Sequence, residues 1–368
     1  KAGYLPQING GIETGYNSLN QSRWRPRASL SVSQMLYDFG KVRGTVDSAR
    51  AGTAVGKAQL LLSVDSLIRD TSYAVIELQR SEALRAIALE QLESVGSIRA
   101  LVQRRFEEGA ATKADMLQVE ARVQAAQATI EEIETEGQRW QTALAHLLGR
   151  DAAPAISPEM PDGFMQYCTF HDPDWSSIPA IQEVEAQRDQ AMAELKRSRA
   201  ENLPTVSLGA GGSADLNDPF GDREDFNFGI NISTSIFNGG ANRARTRGAD
   251  HALSAATAAE ARIRNQVSRT LREAQSQVSS LGRVLDTLSF RETSMRETGM
   301  LYRVQYLELG TKTLVDLLNA EQELHQVRFD RMNTQQDLRR LQIDCLVNSG
   351  AARTAFGLAG TSVRGIEL

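Results

Sequence analysis

The chain has 368 residues, a formal charge of -5, 24% charged residues, 6% aromatics and only 9 prolines. That balance gives no electrostatic case for nucleic-acid binding, and two cysteines are too few for a disulfide scaffold and fit no metal-site spacing. No apolar run approaches the roughly 18 residues of a membrane-spanning helix, which leaves barrel strands open because their signal is far weaker.

Residues 4–17 and 27–37 read as strands joined by the polar link Asn17 to Pro26. In the second strand Leu30, Val32 and Leu36 share one face and Ser29, Ser31 and Ser33 the other. After Gly40, helical sequence runs from 41 to about 107, on the order of 100 Å at 1.5 Å per residue. No compact domain holds such a helix, so it must lie in a coiled coil or a helical tube. Gly109-Ala110-Ala111-Thr112-Lys113-Ala114-Asp115 then supplies a glycine suited to closing one helix, a threonine N-cap for the next, and an aspartate placed to complete a capping box. The returning helix carries an unbroken heptad seam at Met116, Val119, Val123, Ala126, Ile130, Ile133, Gly137, Trp140, Leu144 and Leu147. Residues 150–177, rich in proline, form an irregular connector, and 178–202 reads as a helix.

From there the chain repeats. Leu5-Pro6-Gln7-Ile8 returns as Leu203-Pro204-Thr205-Val206, and the strand pair returns at 204–214 and 225–237. In the last strand Phe226, Phe228, Ile230, Ile232 and Ile236 alternate with Asp225, Asn227, Gly229, Asn231, Ser233 and Ser235, giving one apolar and one wet face. A soluble sheet over a core would show the same alternation. Helical sequence follows from 241 to about 308, then a second turn, Gly310-Thr311-Lys312-Thr313-Leu314-Val315-Asp316. Its seam at Leu317, Ala320, Leu324, Val327, Arg331, Thr334, Leu338, Leu341, Cys345 and Asn348 is interrupted by polar residues. The domains are therefore strands 1–39, helical hairpin 40–149 with its tip near 109–115, connector 150–177, helix 178–202, strands 203–238, hairpin 239–349 with its tip near 310–316, and a flexible tail 350–368. Nothing before Lys1 matches the lead-in helix of the second copy, so we expect an equivalent helix and an export signal upstream.

Four strands cannot close a barrel, and open edges cannot sit in lipid. A trimer would supply twelve strands and close the long helices into a tube. The duplicated strand starts, the strand end Gln34-Met35-Leu36-Tyr37-Asp38-Phe39-Gly40, the two Gly-x-x-Thr-x-x-Asp turns and the two-copy layout together resemble the TolC-type outer-membrane factors, over nearly the whole chain. The resemblance implies an α+β membrane protein: a homotrimer with a twelve-stranded β-barrel in the outer membrane of a Gram-negative bacterium, continued by a periplasmic α-barrel. It implies a non-enzymatic exit duct without cofactor or metal, opened by a periplasmic adaptor (membrane fusion protein) and an inner-membrane ABC or proton-driven transporter. Type I protein secretion is the favoured subtype over drug efflux. The competing class is a periplasmic adaptor-like coiled-coil protein with a soluble β-domain.

By the same resemblance, Lys312 and Asp316 fall at the gate, with Asn319 where a second acidic residue can stand and Asp115 at the matching place in the first turn. Gly109, Thr112, Gly310, Thr311 and Thr313 fall at the adaptor-docking tips. Tyr306 stands four residues before Gly310, out of line with the tyrosine often found there. The plainer reading of Asp115 and Asp316 is helix capping, and that of Lys312 is a solvated side chain. Cys345, at the seam position matching Leu144, reads as a buried thiol or as the partner of Cys168. His146, His171, His251 and His325 are scattered, structural or surface residues. Trp24 and Trp175 lie in loops, Trp24 being suited to a membrane interface. Arg243, Arg245 and Arg247 read as a solvated face near the barrel base, or as an anion-attracting lumen lining.

Overall fold

The structure, a computed structural model, describes residues 2–16, 24–157, 164–169, 173–216, 225–363 and 365–368. The chain divides into two compact units, one of residues 1–59 and 179–265, the other of 60–178 and 266–368. The Asn17-to-Pro26 link falls largely, and His171, Pro158, Pro161 and Gly163 wholly, outside the described residues.

The first unit holds strands β1 (Gln7–Tyr16), β2 (Trp24–Tyr37), β3 (Thr205–Asp215) and β4 (Asp225–Ser233) in one antiparallel sheet of that order. Register makes the alternation of each strand into a property of the sheet. Leu30 stands opposite Gly10 and Gly212, and Gly212 opposite Phe226; Val32 stands opposite Ile8 and Ala210, and Ala210 opposite Phe228. One face is thus apolar across all four strands and uncovered, with Phe226 81% and Phe228 78% exposed. The opposite face carries serines and asparagines, and Arg27 reaches across β3 to Asp225 at 2.9 Å. The last strand stops at Ser233, not at residue 237. Ser233 pairs with Thr205, the first residue of β3, and Pro204 before it has no N–H to extend the ladder. Ile236 and Phe237 are left 95% and 88% exposed.

Asp38 turns β2 into α1 (Lys41–Glu107), its carboxylate accepting the Gly40 and Val42 N–H groups at 3.0 and 2.6 Å. Helix α3 (Pro179–Ala200) lies so close to the start of α1 that a Cβ on Gly44 would meet Arg197 Cβ at 2.8 Å. Arg188 on α3 pairs with Glu260 at 2.9 Å on α4 (Ala241–Val304).

The second unit contains the remainder of α1 and α4, with α2 (Lys113–Leu147) and α5 (Leu314–Asn348). The α2 seam is a single apolar stripe in which Val119, Val123, Ala126, Ile130 and Leu144 are buried. Helix α5 differs because it is packed on two sides. Its polar seam residue Arg331 pairs with Glu292 of α4 at 2.8 Å, and outside the seam Arg340 pairs with Glu77 of α1 at 3.0 Å and Asp337 with Arg80 of α1 at 2.6 Å. Leu317, Val327, Ile343 and Leu346 supply the apolar packing between them.

The segment expected to be a flexible tail instead carries a short helix α6 (Ala352–Ala355) and a hairpin of β5 (Ser362–Val363) and β6 (Ile366–Glu367). Arg353 explains its order. The buried guanidinium binds both oxygens of buried Asp65, at 3.0 and 2.9 Å, and the Ser177 carbonyl at 2.9 Å.

Candidate functional site

The two interhelical turns are built alike. Gly109 and Gly310 have φ of +77° and +64°, the left-handed conformation that closes a helix. Thr112 and Thr313 are N-caps whose hydroxyls accept the N–H of Asp115 and Asp316, each at 3.2 Å. In return the Asp115 carboxylate accepts the Thr112 N–H and hydroxyl, both at 2.8 Å, and that of Asp316 accepts those of Thr313 at 3.0 and 2.9 Å. Both aspartates therefore complete capping boxes, the plainer of their two readings. At Asp316 the Thr313 amide, then the Thr313 hydroxyl, and then the Lys312 charge hold the carboxyl below the usual carboxylate range.

The turns differ by one residue. From Gly40 to Gly109 the chain advances by 69 positions, and from Gly240 to Gly310 by 70. The extra residue is absorbed in a π-turn, Gln305–Leu309, where the Gly310 and Thr311 N–H groups both reach the Gln305 carbonyl. The first copy needs no such turn, and its Ala110 N–H bonds to Arg105 O at 2.6 Å. This insertion is why Tyr306 fails to align by counting back from the glycine. It is buried in a core with Val95, Ile98 and Val102 of α1, Val119 and Val123 of α2, and Leu314, Leu317 and Leu318 of α5.

Two basic residues cover the tyrosines of this turn. Lys312 Nζ lies 4.2 Å from the ring centre of Tyr302, and the Arg105 guanidinium 4.7 Å from that of Tyr306. Arg105 also donates to the Tyr306 carbonyl at 3.1 Å, so the end of α1 is tied to the second turn. Asn319 is exposed and accepts from Arg122 of α2 at 3.4 Å; Arg122 also bonds Gln322. Thus Gly310, Thr311, Lys312, Thr313 and Asp316 share the second turn, Gly109, Thr112 and Asp115 stand at the first, and Asn319 faces α2. Sequence reasoning passes over Arg105, Arg122 and Tyr302. The Tyr302–Tyr306 spacing of four was the one available signal, since it sets both rings on one helix face.

Elsewhere, His146 and His251 are exposed, whereas His325 is buried. Its Nδ1 has no hydrogen-bond partner among the described residues, and burial pushes its pKa down to about 4. Cys345 is joined to Cys168, with Cα atoms 5.3 Å apart, rather than standing as a lone buried thiol. Among the described residues no three His, Cys, Asp or Glu side chains are grouped to hold a metal.

Comparison with known proteins adds a family. The model for outer membrane efflux proteins matches residues 1–150 and 176–344. Alkaline protease secretion protein AprF of Pseudomonas aeruginosa is 26% identical over 322 residues, 81% of this chain and 64% of AprF. Nodulation protein T of Rhizobium leguminosarum bv. trifolii is 24% identical over 310 residues, 80% of this chain and 65% of that protein. The chain thus spans less than two thirds of the length of either relative. Among solved structures, the outer membrane protein VceC of Vibrio cholerae superposes with a TM-score of 0.85 at 18% identity, over 95% of this chain and 88% of VceC.

Proposed function

This chain belongs to the outer membrane efflux protein family, and on that premise we propose that it is one third of a trimeric exit duct, with the turn around Asp316 at its periplasmic throat. The observation that carries the reading is the sheet. Its apolar face is continuous and uncovered, its opposite face is polar, and β1 and β4 each have a neighbour on one side only among the described residues. Such a sheet suits lipid on one face and water on the other once three copies join edge to edge into twelve strands. A soluble β-domain, as in the adaptor reading, would need a cover for that face.

Three copies of the second turn would bring three Asp316 carboxylates and three Lys312 ammonium groups toward one axis, with Asp115 and Asn319 beside them. Asp316 is charged at neutral pH, and we read its carboxylates as the cation-favouring groups of the throat, with each Lys312 ammonium drawn onto the Tyr302 ring 4.2 Å away. The exposed turn residues Gly109, Thr112, Gly310, Thr311 and Thr313 offer the docking surface for a periplasmic adaptor, which would link the duct to an inner-membrane transporter. For cargo we favour an exported protein, because AprF is by name a secretion protein.

The test is single-channel conductance of the full-length protein in a planar bilayer, beside Asp316→Ala. Small cation-selective currents that grow or lose selectivity in the variant are expected. Folded protein that neither inserts nor conducts would remove the duct. Restored secretion of a protein reporter in cells lacking their own duct tests the cargo.

A further inference from the structure

The connector is bound to α4, to α5 and to the chain beyond Ala355 by several contacts. Cys168 ends the short turn Phe164–Cys168 and is bonded to Cys345 of α5, 177 positions away. The pair is buried with Leu271, Ala274 and Val278 of α4. Close by, Gln275 donates to the Thr169 carbonyl at 2.8 Å, and the Phe164 and Phe356 rings lie 5.4 Å apart.

We propose that this chain is a substrate for dithiol oxidation: a disulfide-bearing oxidant of the periplasm joins Cys168 to Cys345 before the connector closes over α4 and α5. One cysteine thiolate attacks a sulfur of the oxidant's disulfide, forming a mixed disulfide and releasing the oxidant's other thiolate. The second cysteine thiolate then attacks the chain's sulfur in that mixed bond, forming Cys168–Cys345 and expelling the oxidant's remaining thiolate. Two electrons and two thiol protons leave the chain, and the oxidant departs as a dithiol.

The order follows from burial. Cys345 is 0% and Cys168 7% exposed, so a protein oxidant reaches neither once the apolar cluster has formed. An apolar setting also suppresses the thiolate that must attack. Within these 368 residues there are two cysteines, so a single pairing exists among them. The bond spans a long loop and constrains the unfolded chain accordingly. The proposal draws on the outer-membrane location only for the oxidising compartment the chain must cross, and not on conduction.

The experiment alkylates full-length protein from outer membranes with a mass-tagged maleimide in denaturant, before and after reduction, and follows protease cleavage of 150–177 in the native protein. Protein from ordinary cells should take no tag at Cys168 or Cys345 before reduction and one at each after it, read on the peptides that carry them, at monomer size. Protein from cells without a dithiol oxidant should take a tag at both Cys168 and Cys345 at once, and its connector should be cut about tenfold faster. Cys168→Ala/Cys345→Ala, which keeps the cluster apolar, should be cut at that faster rate in both cell types. Free thiols in protein from ordinary cells, disulfide-linked dimers, or equal cleavage of oxidised and double-alanine protein would overturn the proposal. An intact bond in a protein that fails to conduct would instead remove the duct and leave this inference standing.

Discussion

Asp316 shows how one carboxylate can be both a structural cap and a charge. Its bonds to Thr313 match those of Asp115 to Thr112, so the capping role carries no preference between the turns. Asp316 also stands beside the Lys312 charge, which with the Thr313 bonds holds its carboxyl below the usual carboxylate range. Asp316→Asn retains an acceptor oxygen without the charge, and Asp316→Ala removes both. Cation selectivity, read as a reversal potential in a salt gradient, should fall in both variants, whereas the melting temperature should fall only in the alanine variant. Equal selectivity in wild type and Asp316→Asn would return the residue to capping alone. His325 makes a different prediction. Its folded pKa lies below its unfolded value, so its stability contribution is full above about pH 6.5 and is lost as pH falls toward 4. The charged groups that act on it are Glu321 and Arg328 on its own helix and Glu90 on α1. The loss is on the order of 3 kcal/mol. Urea midpoints at pH 7.5 and 4.5 should therefore drop less in His325→Leu than in wild type, and parallel drops would refute a buried neutral imidazole.

At the scale of elements, the heptad pattern identifies α2 and α5 alike, yet the two are stabilised differently. Helix α2 presents one apolar stripe, and α5 is packed on two sides with ion pairs to α1 and α4. The π-turn is the clearest case of an element answering to its surroundings. Upstream, packing fixes Tyr306 in the core; downstream, Gly310 and the capping box fix the turn, and one residue too many must bulge between them. Deleting Glu308 should convert Gln305–Leu309 to ordinary helix, leave Tyr306 buried and keep the melting temperature within a few degrees of wild type. Tyrosine fluorescence and thermal melting check this. A collapse of the melt would mean that the bulge itself is required.

For the whole molecule, the decisive feature is a sheet whose outer strands each have one neighbour among the described residues and whose two faces are apolar and polar. Lysine at an outward apolar position should oppose insertion by about 2–4 kcal/mol near mid-membrane. Phe228→Lys should therefore deplete the protein from the outer-membrane fraction, while Asn227→Lys, on the polar face of the same strand, should leave it there. Equal fractionation of the two would count against lipid on the Phe228 face. The trimer, the throat and adaptor docking all depend on that face being outward.

Local chemistry was readable from the residues alone. Strand alternation, the helix spans, both capping boxes and the twofold repeat depend on residues within a turn or two of one another, and all were legible without coordinates. The end of β4 was not, because a strand stops where its partner stops, and that partner begins after Pro204. Nor was the order of the tail, since Arg353 finds Asp65 across 288 positions. Arg105 on the Tyr306 ring and Arg122 on Asn319 belong to the same kind. Each pair joins groups about two hundred positions apart, and only packing the two hairpins together brings them within reach. The repeat told us that two turns exist; tertiary structure decided that a one-residue insertion buries the tyrosine of the second, because helix packing above and a glycine turn below leave it no other place.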